Sequence, residues 1–217
     1  MILLCSNGLT SAALTAELSR HVHGGTAALV VTADGVYKEK NYHVPQLRRE
    51  LEALGFSVDL FDIDTEDASA LLCYDLVEFM GGDPFYLLSS IRRKGAESVL
   101  ETLAREKLLI GISAAAVVFG PTLALMEEYT PELNTAALTD LRGLSLTHAA
   151  VLPHYSRYLP RFDRFEERCA LFEKQSGLSV LRISDGDAVL DRAGDITVLR
   201  AEASSRRNEE LGMRSEE

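Results

Sequence analysis

The residues best suited to chemistry in this chain are Gly111-Ile112-Ser113-Ala114-Ala115-Ala116, which follow the apolar run Leu108-Leu109-Ile110. A short apolar strand that meets Gly-x-Ser and then a string of small helix formers predicts a strand, a sharp turn and a helix. A serine hydroxyl stands at the apex of such a nucleophile elbow, exposed at the carboxyl end of the strand. The amide after the serine and the amino end of the new helix face any negative charge that develops there. The chemistry that fits is acyl transfer through serine. One position departs from the pattern: Ala115 stands where the elbow ordinarily has its second glycine. A methyl there must find room, and overpacking costs ~1–3 kcal/mol where it cannot.

A serine alone is a poor nucleophile and needs a base within hydrogen-bond reach and an acid to orient that base. His154, after Pro153 at the end of the apolar run Ala149–Leu152, can be the base, and the pair Glu127-Glu128 can supply the orienting carboxylate. The Gly82 amide, in Gly81-Gly82-Asp83 after Leu76–Met80, would complete an oxyanion hole with the amide of Ala114. In an open α/β sheet ligands bind beyond the carboxyl ends of the strands, and Gly82, Ser113 and His154 all fall there. Each residue also has a plainer reading. Ser113 could cap the helix that follows it, His154 could be a loop histidine, Glu127 and Glu128 a solvated face, and Gly81-Gly82 a simple turn. Their joint placement at strand ends is what favours a site.

The elements that must position these residues alternate regularly. Strands are predicted at Met1–Cys5, Thr26–Thr32, Ser57–Ile63, Leu76–Met80, Leu108–Ile112 and Ala149–Leu152. Helices are predicted around Ser11–Val22, at Asn41–Leu54 with Val44, Leu47, Leu51 and Leu54 on one face, at Ala96–Glu106 and at Asp163–Gln175. Asp67–Cys73 reads as a short helix, Pro84 suits the first turn of another, and Gly55 and Gly177 read as helix C-caps. Such βαβ units predict a three-layer α/β/α fold with a mainly parallel central sheet. Leu178–Ile183, Ala188–Leu190 and Ile196–Leu199, joined by Asp185-Gly186-Asp187 and Ala193-Gly194-Asp195, read as short terminal strands in a small antiparallel edge. Residues 1–200 form one domain on this reading, and 201–217, rich in Ser, Arg and Glu, form a charged tail.

The bulk properties narrow the function further. Among 217 residues, 33 are acidic and 22 basic, a net charge of −11, so no basic excess exists to neutralise phosphates and nucleic acid is not an expected partner. The apolar runs fall short of the ~20 residues a membrane helix needs, so no membrane partner is expected. Cys5, Cys73 and Cys169 are scattered without a Cys-x-x-Cys pair, and no charged leader precedes the apolar start, so the expectation is a cytoplasmic protein with reduced thiols. His21 and His23 lack a nearby acid or thiol cluster, and the chain has no phosphate-loop or dinucleotide glycine motif, so neither metal nor cofactor is expected. A homodimer is the default assembly.

Taken together, these residues resemble the dipeptidase E (aspartyl dipeptidase) family of serine peptidases. The resemblance spans about residues 1 to 200. It is carried by Leu3-Leu4-Cys5-Ser6-Asn7-Gly8, Gly55-Phe56-Ser57-Val58 leading to Asp62-Ile63, Gly81-Gly82-Asp83-Pro84-Phe85, the elbow at Ser113, and Pro153-His154-Tyr155. It implies a flavodoxin-like fold of the class I glutamine amidotransferase type, with serine in place of the elbow cysteine. It also implies Ser113 as nucleophile, His154 as base and the Gly82 and Ala114 amides as oxyanion donors. The third triad member, placed by distance from the serine, falls on Glu128, with Glu127 the alternative after a one-residue slip. The implied substrate is a small peptide, a dipeptide with an amino-terminal aspartate, cleaved through an acyl-enzyme. Arg157, Arg161 and Arg164 are candidates to bind its carboxylate, because a guanidinium pairs a carboxylate bidentately. The other reading is a non-catalytic relative, or one acting on another amide, an ester or an acidic polymer, with Ala115 marking an altered elbow.

Overall fold

The computed structural model describes residues 1–201; apart from Ala201, the charged tail expected over 201–217 lies outside the described residues. In chain order the first half runs β1 (Ile2–Cys5), α1 (Ala12–Leu18), β2 (Gly25–Val30), α2 (Val44–Ala53), β3 (Phe56–Phe61), β4 (Leu76–Phe79), α3 (Pro84–Arg93), α4 (Glu97–Glu106), β5 (Leu108–Ile112) and α5 (Ala114–Phe119). The second half adds α6 (Ala124–Tyr129), β6 (Ala150–Leu152), α7 (Tyr155–Tyr158), α8 (Phe165–Ser176), β7 (Val180–Arg182), β8 (Ala188–Arg192) and β9 (Asp195–Leu199). Among the described residues seven strands form one sheet in the order β3-β2-β4-β5-β1-β8-β9, with the first five parallel. β8 is antiparallel to β1 and β9 is antiparallel to β8, which is the small antiparallel edge.

Strand side chains alternate between faces, and here both faces are apolar because helices cover both. Leu3, Leu29 and Ile110 point into one layer with Leu14 of α1 and Leu47 and Leu51 of α2. Leu4, Val30, Phe79 and Leu109 point into the other with Leu88 of α3, Leu103 of α4, Phe119 of α5 and Phe172 of α8. The fold is therefore the three-layer α/β/α arrangement.

Three local differences from the sequence expectations matter. α2 begins at Val44 rather than Asn41, because the Asn41 side chain takes the His43 amide (2.8 Å) and holds residues 41–43 outside the helix. The segment Ala68–Cys73 is a tighter 3-10 turn capped by Asp67. Most important, β7 does not join the antiparallel edge; it pairs in parallel with β6 in a separate two-stranded sheet, with Leu152 opposite Arg182.

One core position is chemically out of place. Glu78, on β4 between Leu29 of β2 and Ile110 of β5, is fully buried, and neither of its carboxyl oxygens has a hydrogen-bond partner among the described residues. Burial pushes its pKa well above the ordinary 4.5, with the charge of Glu50 adding to the shift, so the group folds neutral. A folded-state pKa above the unfolded one means that stability falls as pH rises from the unfolded value towards the folded one. Glu78→Leu is therefore expected to raise stability by ~1–3 kcal/mol, with a larger gain in melting temperature at pH 8 than at pH 5. A loss of stability, or a gain independent of pH, would contradict this.

Candidate active site

The β5–α5 junction is a nucleophile elbow. Ser113 has φ 50° and ψ −106°, a conformation that a non-glycine residue adopts at a cost of ~1–3 kcal/mol. The surroundings impose it. The Ser113 amide donates to the Cys5 carbonyl at the end of β1 (2.8 Å), and the Ser113 carbonyl accepts the Val117 amide as α5 begins (3.2 Å). Gly111 is required by close approach, since a Cβ there would lie 2.8 Å from the Phe119 ring and 3.1 Å from the Ala115 backbone. The methyl of Ala115 is fully buried in the apolar layer under α5. With alanine in that position Ser113 Oγ still stands 2.8 Å from His154 Nε2.

The parallel β6–β7 pair supplies the rest. Because the two strands run in the same direction, Pro153-His154 and Ile183-Ser184-Asp185 leave the same end together. The Ile183 amide binds the Leu152 carbonyl (3.1 Å), and the Tyr155 amide binds the Ile183 carbonyl (3.1 Å). His154 turns there in the left-handed region (φ 56°, ψ 27°), which aims its ring back at the elbow. Its Nδ1 lies 2.6 Å from Asp185 Oδ1. The buried Ser6 hydroxyl joins both partners: it accepts the His154 amide (2.9 Å) and donates to Asp185 Oδ1 (2.9 Å). Asn7 fixes the same turn through the Gly186 amide (2.8 Å).

The electrostatics set the proton positions. Burial raises the Asp185 carboxyl, but hydrogen bonds from His154 and Ser6 outweigh it and hold the group below the usual carboxylate range. An ionised carboxylate only accepts, so His154 carries its proton on Nδ1 and turns a lone pair on Nε2 towards the Ser113 hydroxyl. Burial also lowers the His154 pKa below 6.5; the Asp185 hydrogen bond opposes this, while Arg157 and His43 reinforce it. The imidazole is thus neutral and ready to take a proton at neutral pH.

The carboxylate hydrogen-bonded to His154 is Asp185, whereas the sequence reading placed the orienting acid at Glu128. α6 buries Leu125, Met126 and Tyr129, so the two glutamates between them turn outward. Glu128 is exposed, and its carbonyl takes Arg168. Glu127 is half-buried and accepts from Asn134 (3.1 Å). Asp185 was visible in the sequence only as part of an Asp-Gly-Asp turn. The signal that finds it is the one that located Ser113 and His154: it lies just past the carboxyl end of a strand.

A cavity of about 320 Å³ opens on Ser113, lined by Asn7, Asn41, His43, Gln46 and Arg157 among others, together with Gly81 and Gly82. Of the three candidate arginines only Arg157 reaches it, and that side chain is ion-paired with Asp185. Arg161 packs over the Tyr158 and Phe162 rings, and Arg164 pairs with Glu167 at 2.6 Å, so neither lies in this cavity. The loop carrying Asn41 and His43 is tied down by Asp34, which accepts from Asn41 (2.6 Å), and by Lys38, which pairs with Asp62 at 2.9 Å. Gly82 borders the cavity, and a Cβ on it would lie 2.3 Å from the Ala33 carbonyl oxygen, so only glycine fits. Among the described residues neither the Gly82 nor the Ala114 amide donates to another backbone carbonyl. No cluster of three or more His, Cys, Asp or Glu able to hold a metal ion occurs there, and no helix is long and apolar enough to cross a membrane.

Comparison with known proteins agrees with this geometry. The sequence model of peptidase family S51 matches residues 2–199. An uncharacterized peptidase of Listeria innocua serovar 6a is 31% identical over 188 residues, 84% of this chain and 88% of that protein. An uncharacterized peptidase of Listeria monocytogenes serovar 1/2a is 33% identical over 148 residues, 66% of this chain and 72% of that protein. The crystal structure of a candidate peptidase E protein from Listeria monocytogenes EGD-e superposes with a TM-score of 0.75 at 27% identity, over 92% of this chain and 97% of that one. A peptidase from an acI-B1 Actinobacterium shares the fold, with a TM-score of 0.65 at 18% identity over 93% of this chain and 91% of that one. This chain belongs to peptidase family S51 and is a serine peptidase.

Proposed function

We propose that this peptidase hydrolyses dipeptides with an amino-terminal aspartate through Ser113, His154 and Asp185. The observation that carries the reading is the unbroken hydrogen-bond chain from Ser113 Oγ to His154 Nε2 (2.8 Å) and from His154 Nδ1 to Asp185 (2.6 Å). Ser113 attacks the scissile carbonyl as His154 takes its proton, and Asp185 stabilises the imidazolium that forms. The Gly82 and Ala114 amides hold the developing oxyanion. His154 then returns the proton to the leaving amine, the carbon–nitrogen bond breaks, and water hydrolyses the acyl-enzyme by the same steps in reverse order.

The preference for aspartate is supported by the charge of the cavity. Arg157 and His43 border it with the amide side chains of Asn7, Asn41 and Gln46. A carboxylate in such surroundings gains charge-assisted hydrogen bonds, and Arg157 has donors beyond the one spent on Asp185.

Ser113→Ala is expected to reduce turnover of Asp-X dipeptides by at least ~10⁴-fold. Asp185→Asn is expected to lose roughly 10³–10⁴ in kcat with the fold intact, while Glu128→Gln stays within about twofold. Steady-state rates on one Asp-X substrate decide between the two acids: a large loss in Glu128→Gln with little in Asp185→Asn would reverse the assignment. The pH profile gives a separate check. Hydrolysis needs neutral His154, whose pKa lies below 6.5, so the acid limb of kcat/KM is expected to have its midpoint below pH 6.5. A midpoint above 7 would contradict a buried, Arg157-flanked base.

A further inference from the structure

A second, smaller cavity of about 50 Å³ meets the first at the nucleophile. The two share Gly82 and Ser113 and no other residue. Ser113 therefore stands on the boundary between them, with the Gly82 amide beside it. The character of the second cavity is opposite to that of the first. It is bordered by Val117, Met126, Tyr129, Leu133 and Pro153, and among the described residues no acidic or basic side chain lines it. Of its polar side chains, the Tyr129 hydroxyl donates to the Phe165 carbonyl (2.6 Å) and the Thr130 hydroxyl to the Met126 carbonyl (3.0 Å), which leaves the Tyr158 hydroxyl as the polar side-chain group beside Ser113. A charged side chain entering here would lose water and meet no opposite charge. The volume has room for only a few methyl or methylene groups.

A peptide whose carbonyl carbon sits at Ser113 must send the residues on either side of its scissile bond in different directions. If the donor-lined cavity receives the first residue, the apolar one lies where the second must go. We propose that this small cavity is the subsite for the second residue of the substrate, and that it selects a small aliphatic side chain such as that of alanine or valine. The inference rests on the reading of Ser113 as the nucleophile of a dipeptidase. The substrate class is then narrower than any Asp-X dipeptide: an acidic first residue joined to a small aliphatic second one.

The test is a series in which only the second residue changes, Asp-Ala, Asp-Val, Asp-Phe, Asp-Lys and Asp-Asp, with kcat/KM measured for the wild type and for Leu133→Lys. Leu133 lies at the cavity rim, 37% exposed in a short 3-10 turn, so the substitution leaves the core untouched. The wild type is expected to prefer Asp-Ala and Asp-Val over Asp-Phe, Asp-Lys and Asp-Asp by at least ~10-fold, the scale on which an apolar pocket discriminates. In Leu133→Lys the preference for Asp-Val over Asp-Asp is expected to fall by a similar factor, because an ammonium group then faces the second side chain. Equal rates across the wild-type series, or an unchanged preference in the variant, would overturn the subsite. Ser113→Ala run beside them separates the two levels. Turnover that survives in it refutes the nucleophile, whereas Ser113-dependent turnover without discrimination refutes only the subsite.

Discussion

The site depends on holding one non-glycine residue in a conformation it would not choose. Ser113, at φ 50° and ψ −106°, is kept there by its own amide bonding to Cys5 and by the start of α5. Around it the chain has removed the side chains that would interfere. Gly111 lets the Phe119 ring and the Ala115 backbone come close, and Gly81 leaves space where a Cβ would lie 3.1 Å from the Ser113 Cβ. The strain is carried by a five-residue strand, buried along its whole length, between β1 and β4. A central strand has no freedom to relax the turn that follows it, and this rigidity keeps the hydroxyl pointing at His154.

The second requirement is that base and acid arrive together, and the parallel β6–β7 pair meets it. An antiparallel pairing would have sent His154 and Asp185 to opposite ends of the ladder. Parallel pairing places both just beyond one end, where the Ser6 hydroxyl connects the backbone of one to the carboxylate of the other. The result is a base whose tautomer is fixed by its acid and whose charge is opposed by burial. Such a base is ready near neutral pH without needing an unusually basic imidazole.

Much of this was legible in the sequence, and the limits have physical causes. Alternation of short apolar strands with helices is a local signal, so the three-layer fold, the parallel centre and the β5–Ser113–α5 turn could be read directly. Pro153-His154 and Gly81-Gly82 were legible because they interrupt apolar strands at the carboxyl end. The third carboxylate was not, since hydrogen bonding to His154 depends on which strand pairs with β6, a contact between residues roughly thirty apart. Counting from the serine pointed to Glu128, which an amphipathic helix turns outward. Glu78 was equally unreadable, because only the assembled sheet shows that its side chain enters a closed apolar layer. The methyl of Ala115, the one departure from the elbow pattern, is buried inside the core.

The central claim is that Ser113 is activated by His154 under the orientation of Asp185. The most direct test is the rate of covalent labelling by a serine-reactive fluorophosphonate, followed by intact mass and peptide mapping, in the wild type, Asp185→Asn and Glu128→Gln. This measures the nucleophile itself and does not depend on knowing the substrate. The account predicts one adduct on Ser113, formed at the wild-type rate in Glu128→Gln and at least ~10²-fold more slowly in Asp185→Asn. Labelling at another residue, or equal rates in Asp185→Asn and the wild type, would contradict it.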